Sequence, residues 1–173
     1  MKTIITIMSI LFENLFLNSA MGQNQSCTSN EHFNDFDFWV GNWDVFDLAG
    51  NQVGTNNIEK HEAGCLIMET WAGAGGSSGM SLNYYNPVRN EWRQLWVSAG
   101  EYSIDYSGGL VDGAMVMVGE LYNYGSDEAF DFRGSWSENG DGSVRQFFEQ
   151  YNDETGMWEV WFDGRYVRQS VRE

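Results

Sequence analysis

From Trp43 almost to the end of the chain, side-chain polarity alternates with a period of 2, in ten short segments parted by turn residues. The segments are 43–48, 53–61, 65–72, 79–86, 91–98, 102–110, 114–121, 129–137, 143–151 and 157–168. Alternation of this kind places one face of a strand inward and the other outward, and no stretch beyond Trp43 carries a helical period. With 20 Gly and a single Pro, the chain is equipped for tight hairpins and rarely loses a ladder donor. Consecutive hairpins without helical crossovers give an antiparallel meander. Ten strands left open would expose two edges, so the expected fold is all-β: a closed, up-and-down antiparallel β-barrel of about ten strands. A barrel of this size encloses room for one small ligand.

The turns can be read one by one. Ala49-Gly50-Asn51 closes the first hairpin, and Asp112-Gly113 is a two-residue signal in which both residues take positive φ. Glu138-Asn139-Gly140-Asp141-Gly142 is a longer polar turn, its acidic residues too few and too wrongly spaced for a calcium loop. Tyr85-Asn86-Pro87-Val88-Arg89-Asn90-Glu91-Trp92 matches Tyr151-Asn152-Asp153-Glu154-Thr155-Gly156-Met157-Trp158 in spacing, with Asn90 and Gly156 at the left-handed position. Shared turn geometry accounts for the match, with an ancient duplication as the alternative. The run Gly73-Ala74-Gly75-Gly76-Ser77-Ser78-Gly79 reads as a flexible loop at the barrel mouth, with a lid as one role for it.

Before the strands, residues 33–40 read as a short helical turn carrying Phe33, Phe36 and Trp39, an aromatic plug for one barrel end. Residues 1–22 have the layout of a secretory signal peptide: Lys2, an apolar stretch from Ile4 to Leu17, then small residues. The domain reading is therefore signal peptide 1–22, flexible tail 23–32 and barrel 33–173, with a secreted or periplasmic location. No other segment approaches the length of a membrane span. Cys27 and Cys65 are the only cysteines. After export they can pair, Cys65 can remain a buried thiol, and Cys27 as a lipid anchor is the lesser option because Asn24-Gln25-Ser26 lacks the usual residues. The formal charge of −16 repels phosphate backbones, so nucleic acid is not an expected partner.

Candidate site residues follow from the strand faces. Glu69 with Trp71, Asn83 with Tyr85, Gln94 with Trp96, and Gln146 with Phe148 each put one aromatic and one amide or carboxylate on the same face. Apolar walls with a few oriented polar groups are what a small-molecule pocket requires. The competing reading makes these residues plain core with amides bonded to one another. Glu69 is the most consequential, because a buried carboxylate must be paired or protonated. Its alternatives are a ligand anchor, a general acid or base, pairing with Arg93, Arg133 or Arg145, or exposure at the rim. His32 and His61 are the only histidines and have no metal spacing; no catalytic triad, nucleophile elbow or phosphate loop is present. Neither metal nor cofactor is expected.

Gly41-Asn42-Trp43 after the aromatic turn, together with Phe162-Asp163-Gly164-Arg165-Tyr166-Val167-Arg168, resembles the calycin superfamily of lipocalins, fatty-acid-binding proteins and nitrobindin-like barrels. The longer set Phe36 to Val45, Ile58-Glu59, Gly64-Cys65, Glu69-Thr70-Trp71 and Ser81-Leu82-Asn83-Tyr84-Tyr85 looks like a group of uncharacterised bacterial secreted lipocalin-like proteins, over residues 33–168. The resemblance implies the barrel and a structural lock in which a basic residue near the chain end, Arg168 before Arg165, packs across Trp43. It does not imply haem, because the histidine that nitrobindin-like barrels use has no counterpart after His61. The expected function is binding of a small hydrophobic or amphipathic molecule without chemistry, through Glu69, Trp71, Asn83, Tyr85, Gln94, Trp96, Gln146 and Phe148. The alternatives are an isomerase- or cyclase-type enzyme using Glu69 or Tyr85, a carbohydrate binder, and an assembly module with a filled interior.

Overall fold

The computed structural model describes Cys27 and residues 29–170. The expected signal peptide lies outside the described residues. Ten antiparallel strands close into a barrel: β1 (Gly41–Phe46), β2 (Gln52–His61), β3 (Leu66–Gly73), β4 (Ser78–Asn86), β5 (Glu91–Ser98), β6 (Tyr102–Val111), β7 (Ala114–Asn123), β8 (Glu128–Glu138), β9 (Val144–Asn152) and β10 (Met157–Arg168). Each strand pairs with its chain neighbours, and β1 pairs with β10 to complete the ring. Closure leaves no strand edge unpaired, which is why so long a meander does not need helices to cover it.

The expected turns are present in detail. Asp112 and Gly113 have φ of 50° and 83°, matching the right-handed twist of the strands they join. Asn90 and Gly156 both occupy the left-handed region, at 55° and 68°. In each of these two turns the leading asparagine, Asn86 or Asn152, accepts two backbone N–H bonds through its side-chain oxygen. A third turn uses the same device: Asn123 Oδ1 accepts from Gly125 and Ser126, and Asp127 has φ 57°. The Gly/Ser run is shorter and tighter than a lid loop, since Gly73 N–H bonds the Ser77 carbonyl at 2.7 Å and Ala74 N–H bonds Val53 at 2.9 Å.

The end of the barrel where β1 begins is plugged. Two short 3-10 turns, Glu31–Asn34 and Asp37–Trp39, lead into it. Phe36 stacks on Trp39 at 4.8 Å and meets Trp136 and Trp92 edge-on. Phe36 and Trp39 are fully buried, worth about 2–3 kcal/mol each in transfer free energy. The chain is fixed here from both sides. Trp92 Nε1 donates to the His32 carbonyl at 3.1 Å, and Lys60 pairs with Asp37 at 2.6 Å. Cys27, within the segment expected as a tail, forms a disulfide with Cys65 across 38 residues. Cys65 follows the short turn Glu62–Gly64 and precedes β3. Beside the plug, Arg168 lies across Trp43, its guanidinium carbon 4.3 Å from the ring centroid, while Nη1 donates to the Val40 carbonyl.

Candidate functional site

The plug does not fill the interior. Toward the opposite end, where the β3–β4, β5–β6 and β9–β10 turns lie, the barrel holds a cavity of about 210 Å³. That equals about seven water volumes and is smaller than the roughly 300–1,000 Å³ of sites for drug-sized ligands. Six of the residues picked from the strand faces line it: Glu69, Trp71, Gln94, Trp96, Gln146 and Phe148.

Two do not. Asn83 is fully buried one layer below, where its amide bonds Ser81 Oγ and the Ile67 carbonyl. Tyr85 is one step further still along β4. Its ring packs on Phe33 and His32 under the plug, and its hydroxyl donates to Asn90 at 2.6 Å. The face was shared, but depth along the strand separates these residues. Position along the barrel axis cannot be read from alternation.

The alternation also left out part of the wall. Tyr102, Ile104 and Tyr106 of β6, Tyr166 of β10, and Ser77 line the cavity too. The β6 trio shares one parity, so the sequence signal was there. Trp161 and Phe162 had no such signal: a register shift between Val160 and Phe162 inserts an extra residue and turns two neighbouring rings toward one cavity. Trp161 meets Tyr102, Phe132 and Phe148 at 5.5–6.3 Å and remains 42% exposed at the mouth.

Glycines shape the space. Backbone Cβ atoms placed at Gly54 or Gly79 would fall under 3.0 Å from the rings of Trp71 and Trp96 respectively. Each indole abuts a glycine of the preceding strand, in space that a side chain there would take.

Beneath the aromatic wall runs a connected row of polar side chains. Asn56 Nδ2 donates to Glu69 Oε1 and Ser81 Oγ donates to Oε2, both at 2.6 Å. Asn56 also donates to the Tyr166 hydroxyl at 3.2 Å, and Tyr166 donates to Gln146 Oε1 at 2.5 Å. On the other side Asn83 bonds Ser81, Gln94 donates to Asn83, and Tyr106 donates to Gln94 Oε1. The row ties seven of the strands together and, apart from Asn56 Oδ1, pairs groups that burial would otherwise penalise.

Glu69 sits at its centre, 3% exposed. Burial pushes its carboxyl up to about 7, against the lowering effect of the Ser81 and Asn56 bonds. Tyr106 and Tyr166 are raised well above their ordinary value, chiefly by burial and then by the Glu69 charge. The expected arginine partners are elsewhere. Arg93 pairs with Asp105, Arg133 with Glu149 and Arg145 with Asp163, all on the outer face. Among the described residues no group of three His, Cys, Asp or Glu is placed to hold a metal ion, and no helix is long and apolar enough to cross a membrane. No family model matches the chain, and no curated protein matches it.

Proposed function

We propose that the protein binds a small, partly apolar molecule in this cavity and releases it unchanged. One observation carries the reading: one end of the barrel is plugged by packed aromatics, while toward the other end an aromatic-walled space lies above a hydrogen-bonded polar row. A barrel that served only as a scaffold gains nothing from leaving that space empty, since filling it with side chains stabilises by dispersion and transfer. Kinship with the calycin superfamily belongs to the same proposal, supported by the Trp43–Arg168 contact at the plugged end. So does export, supported by the Cys27–Cys65 disulfide, since such bonds persist in oxidising compartments.

The test is saturable quenching of tryptophan fluorescence by small neutral probes such as 1-hexanol and benzyl alcohol, paired with native mass spectrometry of protein purified from its own host. Binding is expected to weaken at least tenfold, by loss of about 1.4 kcal/mol or more of wall contact, in the double variant Trp96→Ala, Gln94→Ala. Undiminished binding in that variant sinks the site.

A second reading has one observation behind it. A buried carboxyl poised near neutrality at a cavity floor is the usual setting of a general acid or base. In that case Glu69 moves a proton, and Glu69→Gln abolishes turnover while binding survives. Tyr85 has no part in it, being committed to Asn90 under the plug.

A further inference from the structure

Building on the cavity-binding reading, we propose that the ligand is a small organic cation: an aryl or alkyl amine whose ammonium group rests against Glu69 and whose carbon frame lies among the tryptophans. When ionised, Glu69 is a carboxylate held in the interior by neutral donors alone, Asn56 and Ser81. Among the described residues no lysine, arginine or histidine pairs with it or lines the cavity. A buried carboxylate without a counter-ion penalises an anionic ligand and gives a neutral one no charge partner. A cation supplies what the fold leaves out.

Hydrogen-bond polarity points the same way. The hydroxyl protons of Tyr106 and Tyr166 are both spent on glutamine carbonyls, which can only accept. What remains on these two cavity-lining phenols is oxygen lone pairs, one of those on Tyr166 already taken by Asn56 Nδ2. The groups beside Glu69 are therefore acceptors, the complement of a head group with three N–H donors, while the wall offers, among the described residues, one buried unpartnered donor, Trp96 Nε1. The walls add a second attraction, because the faces of Trp71, Trp96 and Phe148 carry negative quadrupole density that favours a cation within about 6 Å. Volume sets the size: about 210 Å³ admits on the order of ten non-hydrogen atoms, a phenylethylamine rather than a lipid chain. Beyond contact range the net charge of −16 draws cations in and turns anions away.

The titratable groups that feel Glu69 are Tyr102 and Tyr106 from β6 and Tyr166 from β10, all shifted upward and neutral through the working range. From β2 and β4 only uncharged Asn56 and Ser81 face it. Any change in cation affinity between about pH 5 and 8 therefore reports Glu69.

The experiment is calorimetric titration of the whole protein with three probes of matched shape: 2-phenylethylamine, 2-phenylethanol and phenylacetate. At about pH 8 the amine should bind ~10- to 100-fold more tightly than the alcohol, as a hydrogen bond to a charged group allows, and phenylacetate weakest of all. At about pH 5 the amine, still protonated, should weaken by up to about 100-fold as Glu69 takes up a proton, with the alcohol unchanged. Glu69→Gln should erase the preference for amine over alcohol. If that variant does not fold, the pH series on the wild-type protein decides alone. Alcohol or phenylacetate binding as tightly as the amine, or an amine affinity indifferent to pH, overturns the cation assignment and leaves cavity binding standing. Failure of all three probes also overturns it, while the neutral-probe quenching described above judges cavity binding separately.

Discussion

Glu69→Gln probes the buried polar row through stability, with no ligand needed. Glutamine keeps the length of the side chain and a carbonyl oxygen to accept from Asn56, while its N–H groups meet the rotatable Ser81 hydroxyl. The charge is what disappears. Burial lifts the Glu69 carboxyl from the ordinary 4.5 to about 7. At about 1.4 kcal/mol per pH unit, the folded state disfavours the carboxylate by about 3 kcal/mol relative to the unfolded chain. The sign follows from the folded value being the higher one. Between pH 4.5 and about 7 the folded protein keeps a proton that the unfolded chain releases. Glu69 thus contributes stability that is fully present below 4.5 and lost as the pH rises through about 7. The variant has no such loss. Urea unfolding of both proteins from about pH 4 to 8 isolates the effect, because distant carboxylates titrate alike in the two and cancel. The stability of the variant minus that of the wild type should climb by about 3 kcal/mol over this range, most steeply near pH 6. A difference that stays flat to within ~0.5 kcal/mol refutes the claim that Glu69 is desolvated, and with it the electrostatic reading of the cavity.

Removing the guanidinium in Arg168→Ala should lower stability by about 1–2 kcal/mol, from the cation–π contact and the bond to Val40, with the Trp43 emission shifted; an unchanged urea midpoint contradicts the lock. The double variant Cys27→Ser, Cys65→Ser should lose up to about 4 kcal/mol, the chain-entropy value for a loop of 38 residues, and reductant should lower the wild-type melting temperature comparably. Gly79→Val should drive the Trp96 ring into the cavity and cost about 1–3 kcal/mol with loss of probe binding. Gly109→Ala, which meets nothing within 4 Å, is its control; equal effects at both positions would dismiss the wall-forming role of Gly79.

Local chemistry made much of the fold legible. Asp112-Gly113 and the two asparagine-led turns announce hairpins because positive φ is cheap only for a few residues, and the chain uses them at those points. The third such turn, Asn123 to Asp127, is less legible in the sequence because Ala129 stands where the other two have Trp. The strand faces were legible as well: Glu69, Gln94 and Gln146 do turn inward with Trp71, Trp96 and Phe148. Depth was not. Asn83 and Tyr85 share that face yet end in the polar row and under the plug, since register between strands sets height along the axis. Nor was the bulge at Trp161, which breaks the period that any reading by alternation relies on.

By itself, then, the sequence determined the ten strands, their turns, the inward faces and the aromatic plug, because each is set by interactions among residues near one another in the chain. Only the tertiary structure decided that Cys27 meets Cys65, that the plug leaves a cavity at the other end, and that Glu69 is ringed by neutral donors while Arg93, Arg133 and Arg145 stay outside. Those outcomes depend on ring closure and inter-strand register, which join groups distant in sequence and fix whether a carboxylate meets water, a cation or an empty cavity. A charge takes its meaning from that surrounding dielectric and its partners, and no short window of sequence contains them.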